Sequence, residues 1–548
     1  MRVLIEDGIL RSSYPTCDIP FCSIYEAIKT CVDSSPDQLA LIDDSIQLTR
    51  AEFLGKSKCY AVGFRAHGIT TGDRVCVHVD DSVENLTVMF GLVFAGATLV
   101  LCNPSLTERD LLYHATTGDA TKLLTDMNNA SKSLSLNKRL NLECVFASGN
   151  IPGAVNVQEF SSADETKFEE IHVTDPRNTV AALGFSSGTT GPAKAVEITH
   201  HSFVANLQIS KVFLPTHGND IKWSWYSITY ASGFIFTTTV ACTGHPCVIA
   251  NPSVPLDRIT SIVNKHKVTT ISSLPARLLC VANEMLCTGT RFDTVRNISV
   301  GGTTLNEAVA RRLRTAFPSA NLINIYSQTE ACGVICFSHE PGSSAQFVGF
   351  PAPMVELKFI DVETRKKVGP NKPGELCYKI PSVMRSYYKN PKKMAQFIDE
   401  DRWCHSGDLA YYGEDGSVYL VERMENLITC MGMLVIPAEL ENLLLSHHDE
   451  ITEVAVVGLP HQKYGQVAAA FIALNKPHRL PENSTREMFL NTVLAKCPMH
   501  KFPHGGIYLI DFLPKKSSGK VDQEALKAYA LSYDVGKHHK LKMSEAYP

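Results

Sequence analysis

The sequence predicts an α/β protein: a large N-terminal domain of layered α/β units plus a β-rich subdomain, followed by a small α+β C-terminal domain. Three observations predict it. Residues 20–125 alternate helical stretches with short apolar strands such as "RVCVHV" (74–79), as expected of helices layered on a sheet. From about residue 354 the texture becomes short strands between Pro/Gly turns, as in "VGPNKPGELCYKI". Past Arg423, "IPAELENLLLSH" reads as a helix, and "ITEVAVVGLP" and "QVAAAFIAL" as strands, a unit of about 125 residues and so of ordinary domain size. A boundary at "YLVERMEN" divides the chain into 1–422 and 423–548, with a hinge near Glu422–Arg423.

The 548 residues suffice for several cores, and 44% hydrophobic with 20% charged residues is an ordinary globular composition. A net charge of −4 excludes the basic footprint of a nucleic-acid binder, and the basic tail "GKHHKLK" reads as a solvated end. The 17 cysteines are scattered. Their closest spacings, Cys17/Cys22, Cys242/Cys247 and Cys332/Cys336, lack a histidine pair at zinc-site distance. With no apolar leader core in "MRVLIEDGILRSSY", they read as reduced thiols of an intracellular protein, and the sequons at Asn85, Asn297 and Asn483 as chance matches. The uncharged run Leu86–Cys102 is only just long enough to span a membrane and is broken by Gly91 and Gly96. It reads as a buried helix, a glycine turn and the buried strand "ATLVLCNP".

A polar interval over 126–178 precedes the strand "VAALGF", which enters the loop Ser186-Ser187-Gly188-Thr189-Thr190-Gly191 with Lys194 beyond it. Free backbone N–H groups, hydroxyls and a terminal cation suit a phosphate. The lysine is followed by Ala195 and the strand "VEIT", not by the Ser/Thr and helix of the common NTPase loop. "THHSFVANLQISKVF" reads as a helix capped by Thr199. "VTTISSLPA" and "NISVGGTTL" each read as a strand running into a turn, "NEAVARRLRTAF" as a helix, and "NLINIYSQTE" as a strand and a loop.

Four stretches carry the chemistry in order: this loop, "NIYSQTEACG" (324–333), "WCHSGDLAYYGEDGSVYLVER" (403–423) and "LPKKSSGKVD" (513–522). Each alone is ambiguous, but the set resembles the adenylate-forming superfamily of acyl-CoA synthetases, beetle luciferases and peptide-synthetase adenylation domains. The likeness runs from about residue 25 to 530 and is strongest to the luciferase and coumarate-CoA ligase branch. It implies a mobile C-terminal domain and a two-step reaction. A carboxylate attacks the α-phosphate of ATP to give acyl-AMP and pyrophosphate; the thiol of coenzyme A then displaces AMP.

Carried onto this sequence, the resemblance implies that Ser186–Gly191 and Lys194 hold the β- and γ-phosphates, Thr329 the α-phosphate, and Glu330 a bridging Mg²⁺. Asp408 and Arg423 serve the ribose or phosphate, and Tyr326 stacks beside adenine with Gly302, Thr303, Asn324 and Ile325 around it. Lys520 bridges the attacking carboxylate and the α-phosphate, Gly432 lets the pantetheine arm of coenzyme A approach, and Tyr230 and Ser327 shape the acyl pocket. Without the motif context, Asp408 and Arg423 read as a surface pair and Tyr326 as a core aromatic.

Three departures stand out. Gly191-Pro192-Ala193-Lys194-Ala195 replaces the common Gly-x-Pro-Lys-Gly but keeps the lysine's spacing, and Tyr326-Ser327 replaces Tyr-Gly, which narrows or polarises the pocket mouth. In 423–434 the family's lysine and glutamine become Thr429 and Leu434, with Glu425 where another lysine is common. A threonine supplies no positive charge near a developing anion, so the thioester step is weakened. The expectation is an ATP-dependent ligase acting on a medium- or long-chain fatty acid or similar carboxylate, with no fused carrier domain. The alternatives are a half-reaction enzyme and a non-catalytic acyl-adenylate binder. The chain ends Ala546-Tyr547-Pro548 rather than in a peroxisomal signal, so its own residues point to the cytoplasm and only analogy to the peroxisome.

Overall fold

The structure, a computed structural model, describes residues 3–186, 192–214, 220–251, 255–338, 344–448, 450–474, 481–516 and 520–532. These residues form three sheets of fifteen, seven and five strands.

The seven-stranded sheet is parallel through Thr98–Leu101, Arg74–His78, Lys122–Asp126, Cys144–Ser148 and Val155–Asn156, and gains Val180–Ser186 beside Thr98–Leu101. Lys194–Thr199 closes it as an antiparallel hairpin partner, with Ser186 opposite Lys194. The polar interval 126–178 is therefore not a separator. It supplies two of these strands and the helix Ala130–Leu140, which fully buries only Ser133 and Leu136 and so offers no long apolar run to a reading of the sequence. Leu86–Cys102 is a buried helix end, a turn at Gly96 with φ +94°, and a buried strand. No helix among the described residues is long and apolar enough to cross a membrane. Cap chemistry sets the helix starts: Thr199 accepts from the Ser202 amide, and Ser23 and Thr49 form reciprocal capping boxes with Glu26 and Glu52.

In the fifteen-stranded sheet, Thr270–Ser273, Asn297–Gly301 and Asn321–Gln328 run parallel. Asn321–Gln328 then pairs antiparallel with Gly333–Phe337, which leads through Phe347–Pro351 to Val418–Arg423 and Cys404–Tyr412. The β-rich stretch is thus continuous with the parallel strands rather than a separate sheet. One expected turn is absent: Pro275 begins the helix Pro275–Thr288 directly after the strand, since proline's missing N–H costs nothing in a first helical turn.

The third sheet contains Ile428–Cys430, Met433–Val435, Ile451–His461, Gly465–Leu474 and Ile507–Ile510, with the helix Pro437–His447 packed against Ile451–His461. It has its own apolar core around Phe471 and Phe489. Val418–Arg423 is the last strand of the large sheet, and a single 3₁₀ turn, Met424–Asn426, separates it from Ile428. Across this link the buried Glu422 carboxylate accepts from the Arg423 amide (2.8 Å), the Asn426 side chain (2.8 Å) and the Ala438 amide (3.2 Å).

Candidate active site

Both parts of the chain enclose one cavity of about 860 Å³, lined by residues of the large sheet and by Lys515, Lys516 and Lys520 of the C-terminal segment. At its wall is Asp408, 6% exposed. Its Oδ2 accepts from the Tyr326 hydroxyl (2.5 Å) and Gln328 Nε2 (2.9 Å), and its Oδ1 from Arg423 Nη1 (2.7 Å). Strand register explains the grouping, because Asp408 lies directly opposite Arg423. The Ser406 carbonyl also accepts from Gln328 and Arg423, and its hydroxyl accepts from the Asp408 amide. Burial works against the Arg423 cation, but the adjacent Asp408 outweighs it and raises its pKa. The pair is not a solvated surface bridge.

Asn321–Gln328 ends at this wall and passes into the 3₁₀ turn Thr329–Ala331, which turns Glu330 into the cavity. Glu330 Oε1 accepts from the Tyr387 hydroxyl (2.7 Å). Lys194 Nζ stands 5.2 Å from the centre of the same Tyr387 ring, a cation–π distance. Tyr387 thereby sets the spacing between the lysine of the hairpin and the carboxylate of the turn. Ser186, on the strand facing Lys194, has a buried hydroxyl with no hydrogen-bond partner among the described residues. Such an orphan in a cavity wall suits an incoming oxygen ligand.

Lys520 reaches the cavity because the chain doubles back: Lys515 bridges Val521, and the Lys516 amide donates to the Lys520 carbonyl (2.8 Å). Its pKa is lowered, first by desolvation and then by the Arg423 charge, while Asp408, Glu330 and Glu425 act the other way. Residues about one hundred to two hundred positions apart thus share one electrostatic site.

Of the residues singled out in the sequence, Ser186, Lys194, Tyr230, Gly302, Thr303, Asn324, Ile325, Tyr326, Ser327, Thr329, Glu330, Asp408, Arg423 and Lys520 all line this cavity. Ser187, Gly188, Thr189, Thr190 and Gly191 lie outside the described residues. Gly432 is not brought to the cavity. It forms the exposed tip between Ile428–Cys430 and Met433–Val435, at φ +74° with open space around it, and Thr429 and Leu434 beside it are also exposed. Asn324 is partly committed elsewhere, its amide donating to the Ala345 carbonyl at 2.8 Å. Tyr230 is the N-terminal flank of the helix Ala231–Cys242.

Gln328, Ser406 and Tyr387 were not singled out in the sequence. Gln328 and Ser406 lie inside quoted motifs, where adjacency was the available signal. Tyr387 sits in "MRSYYKN", which carries none. A Glu375, Cys377 and His405 grouping elsewhere has metal-ligand chemistry, but the Arg365 guanidinium already lies 2.7 Å from Glu375 and 3.2 Å from His405.

Glycine matters at the helix beside Tyr230. A Cβ on Gly233 would lie 1.9 Å from the Ser227 carbonyl oxygen, a backbone atom that cannot move aside cheaply. Gly233→Ala is expected to cost about 1–3 kcal/mol of stability, read as a lower denaturant midpoint with unchanged slope.

A large sheet assembly capped by a small C-terminal sheet, with the cavity between them, is the architecture of the adenylate-forming enzymes. The chain belongs to the AMP-binding enzyme family: residues 28–388 match that family and residues 439–520 its C-terminal domain. It is 26% identical over 545 residues to 4-coumarate–CoA ligase 1 of Solanum tuberosum, covering 95% of this chain and 96% of that one. It is 27% identical over 543 residues to 4-coumarate–CoA ligase 3 of Arabidopsis thaliana, covering 95% and 94%. Among solved structures, ATP-bound MatB from Rhodopseudomonas palustris superposes with a TM-score of 0.81 at 21% identity, covering 92% of this chain and 98% of that one. The anthranilate CoA ligase AuaEII in complex with anthranoyl-AMP gives 0.83 at 21%, covering 94% and 98%.

Proposed function

We propose that this chain is an AMP-forming acid–thiol ligase that activates a carboxylic acid as its acyl-adenylate and passes the acyl group to coenzyme A. The observation that carries it is Lys520, drawn from the C-terminal segment into a cavity that also presents Thr329, Glu330, Asp408 and Lys194. Nucleotide binding alone does not need that second lysine. In the first step a carboxylate oxygen bonds to the α-phosphorus as the bond to the bridging oxygen breaks and pyrophosphate leaves. Two anions must meet, so the ammonium of Lys520 offsets their repulsion while Lys194 holds the departing end. Asp408 receives the ribose hydroxyls, and Tyr326, buried against it, forms the wall beside adenine. In the second step the thiol sulfur attacks the acyl carbon, AMP leaves, and the thiol proton passes to solvent.

Glu330 fits Mg²⁺, a hard oxygen ligand beside the phosphate cradle, with Tyr387 fixing its orientation and leaving the other carboxylate oxygen for the ion. Bound there, the ion neutralises phosphate charge. The division at Glu422–Arg423 is read as a hinge, because one 3₁₀ turn joins two sheets with separate cores. Rotation about it would carry Gly432 from its present exposed position toward the thiol's approach. The fatty-acid expectation finds support in the apolar side chains Ile235, Phe236, Leu279 and Val309 on the cavity wall.

A half-reaction enzyme is the second reading, favoured by Thr429 and Leu434 on the exposed hairpin, where neither supplies a charge. One experiment separates the two: ATP–pyrophosphate exchange over a panel of carboxylic acids, then mass spectrometry of products with ATP, Mg²⁺ and coenzyme A. Exchange with thioester is the expected result. Exchange with adenylate alone selects the second reading, and no exchange with any acid overturns both.

A further inference from the structure

The cavity has a second cationic pole. Arg277 lies in the first turn of Pro275–Thr288 and faces the cavity, with Nη1 donating to the Trp225 carbonyl (2.5 Å) and the guanidinium 5.3 Å from the centre of the Trp225 ring. Among the described residues no carboxylate stands within ion-pair distance of it. The acid that acts on it electrostatically, Asp81, accepts from the Ser227 hydroxyl (2.9 Å) and the Ile228 amide (2.7 Å), and burial raises its pKa to about 7. Asp81 and Arg277 act on each other electrostatically, but Asp81 forms no ion pair with the guanidinium, whose hydrogen bond goes to a backbone carbonyl. Desolvation in turn lowers the pKa of Arg277, against the pull of Tyr226 and Asp81.

This pole is distinct from the reaction end. Lys520 interacts electrostatically with Arg423, Asp408, Glu330 and Glu425, whereas Arg277 interacts with Tyr226, Asp81, Tyr230 and Cys280. A guanidinium taken partly out of water without a counter-ion is costly unless a ligand supplies one, and guanidinium matches a carboxylate by two parallel hydrogen bonds. An alkyl chain laid against it would add desolvation and return nothing.

We propose that the acid activated here carries a second carboxylate, received by Arg277, so that the substrate is a dicarboxylic acid with one end at Lys520 and the other at Arg277. This rests on the acid-activation reading above. The apolar wall residues then cover the methylene or ring segment between the two ends.

Exchange of pyrophosphate into ATP, driven by octanedioate and by octanoate on the full chain, tests it. The diacid is expected to give a kcat/KM about 10²-fold higher, the discrimination that one hydrogen-bonded charge pair at a partly buried site supplies. In Arg277→Met the diacid falls toward the monoacid through its own KM, the monoacid rises, and the KM for ATP holds; Arg277→Lys keeps part of the preference. Melting curves for both variants show that they are folded, and the lysine variant carries the test should the methionine variant fail to fold. Three results overturn the inference: a wild-type preference for octanoate, an unchanged diacid KM in Arg277→Met, or a raised KM for ATP alone, which would assign Arg277 to the triphosphate. Exchange with monoacids only removes this inference and leaves the ligase; no exchange with any acid removes both.

Discussion

Lys520→Ala is expected to lower ATP–pyrophosphate exchange by about 10²–10³-fold, the usual effect of removing one preorganised donor from a developing anion, while ATP still binds. The cavity retains Lys194, Arg423 and Asp408, so on the reading proposed above the nucleotide keeps those contacts and only the cation facing the incoming carboxylate is lost. The pH profile supplies an independent readout. The pKa of Lys520 is depressed from 10.5, chiefly by desolvation and then by Arg423. Its ammonium is therefore lost at lower pH than that of a free lysine, and exchange declines as pH rises through that depressed value. Stability moves the opposite way: between the depressed value and 10.5 the unfolded chain binds more protons than the folded one, so this group's contribution grows with pH. An alanine variant with wild-type exchange, or with the same alkaline limb, would remove Lys520 from the mechanism.

Asp408→Ala carries the second large effect, and it falls on binding. Three donors converge on this carboxylate, from Tyr326, Gln328 and Arg423. A charged hydrogen bond contributes about 1.5–3 kcal/mol, so losing ribose contacts is expected to raise the dissociation constant of ATP by about 10²-fold. The protein also loses about 1–3 kcal/mol of stability, because buried donors are left unpaired and the Arg423 guanidinium keeps only the longer Glu425 contact, 3.6 Å. Asp408→Asn keeps the shape without the charge and should recover part of the stability but little of the ATP affinity. Isothermal titration with ATP alongside urea unfolding measures both. Full ATP affinity in the asparagine variant would mean that the carboxylate orders the wall rather than binds the ribose.

The helices and strands around the site were legible because their signals are local. Thr199 caps a helix through its own third-following amide, and Ala130–Leu140 was missed because it fully buries only Ser133 and Leu136 and so shows no long apolar run. The motif residues were legible through a resemblance that spans separate stretches. Tyr387, Gln328 and Ser406 were not, since each acts by touching a residue tens of positions away. Arg277 shows the same limit. In "LPARLL" it is an ordinary helical arginine, and only the cavity shows that it faces inward without an acid partner.

By itself, then, the amino-acid sequence determined most of the element types and the order of the motifs, and it offered the groups proposed to handle a triphosphate, because propensity, capping and loop chemistry act over a few neighbouring residues. Only the tertiary structure decided which charges meet: that Asp408 is buried under three donors, that Lys520 folds back toward Glu330, that Gly432 lies away from the cavity, and that Arg277 stands as a second pole. Electrostatic energy depends on distance and on exclusion of water, and the packing of remote segments sets both.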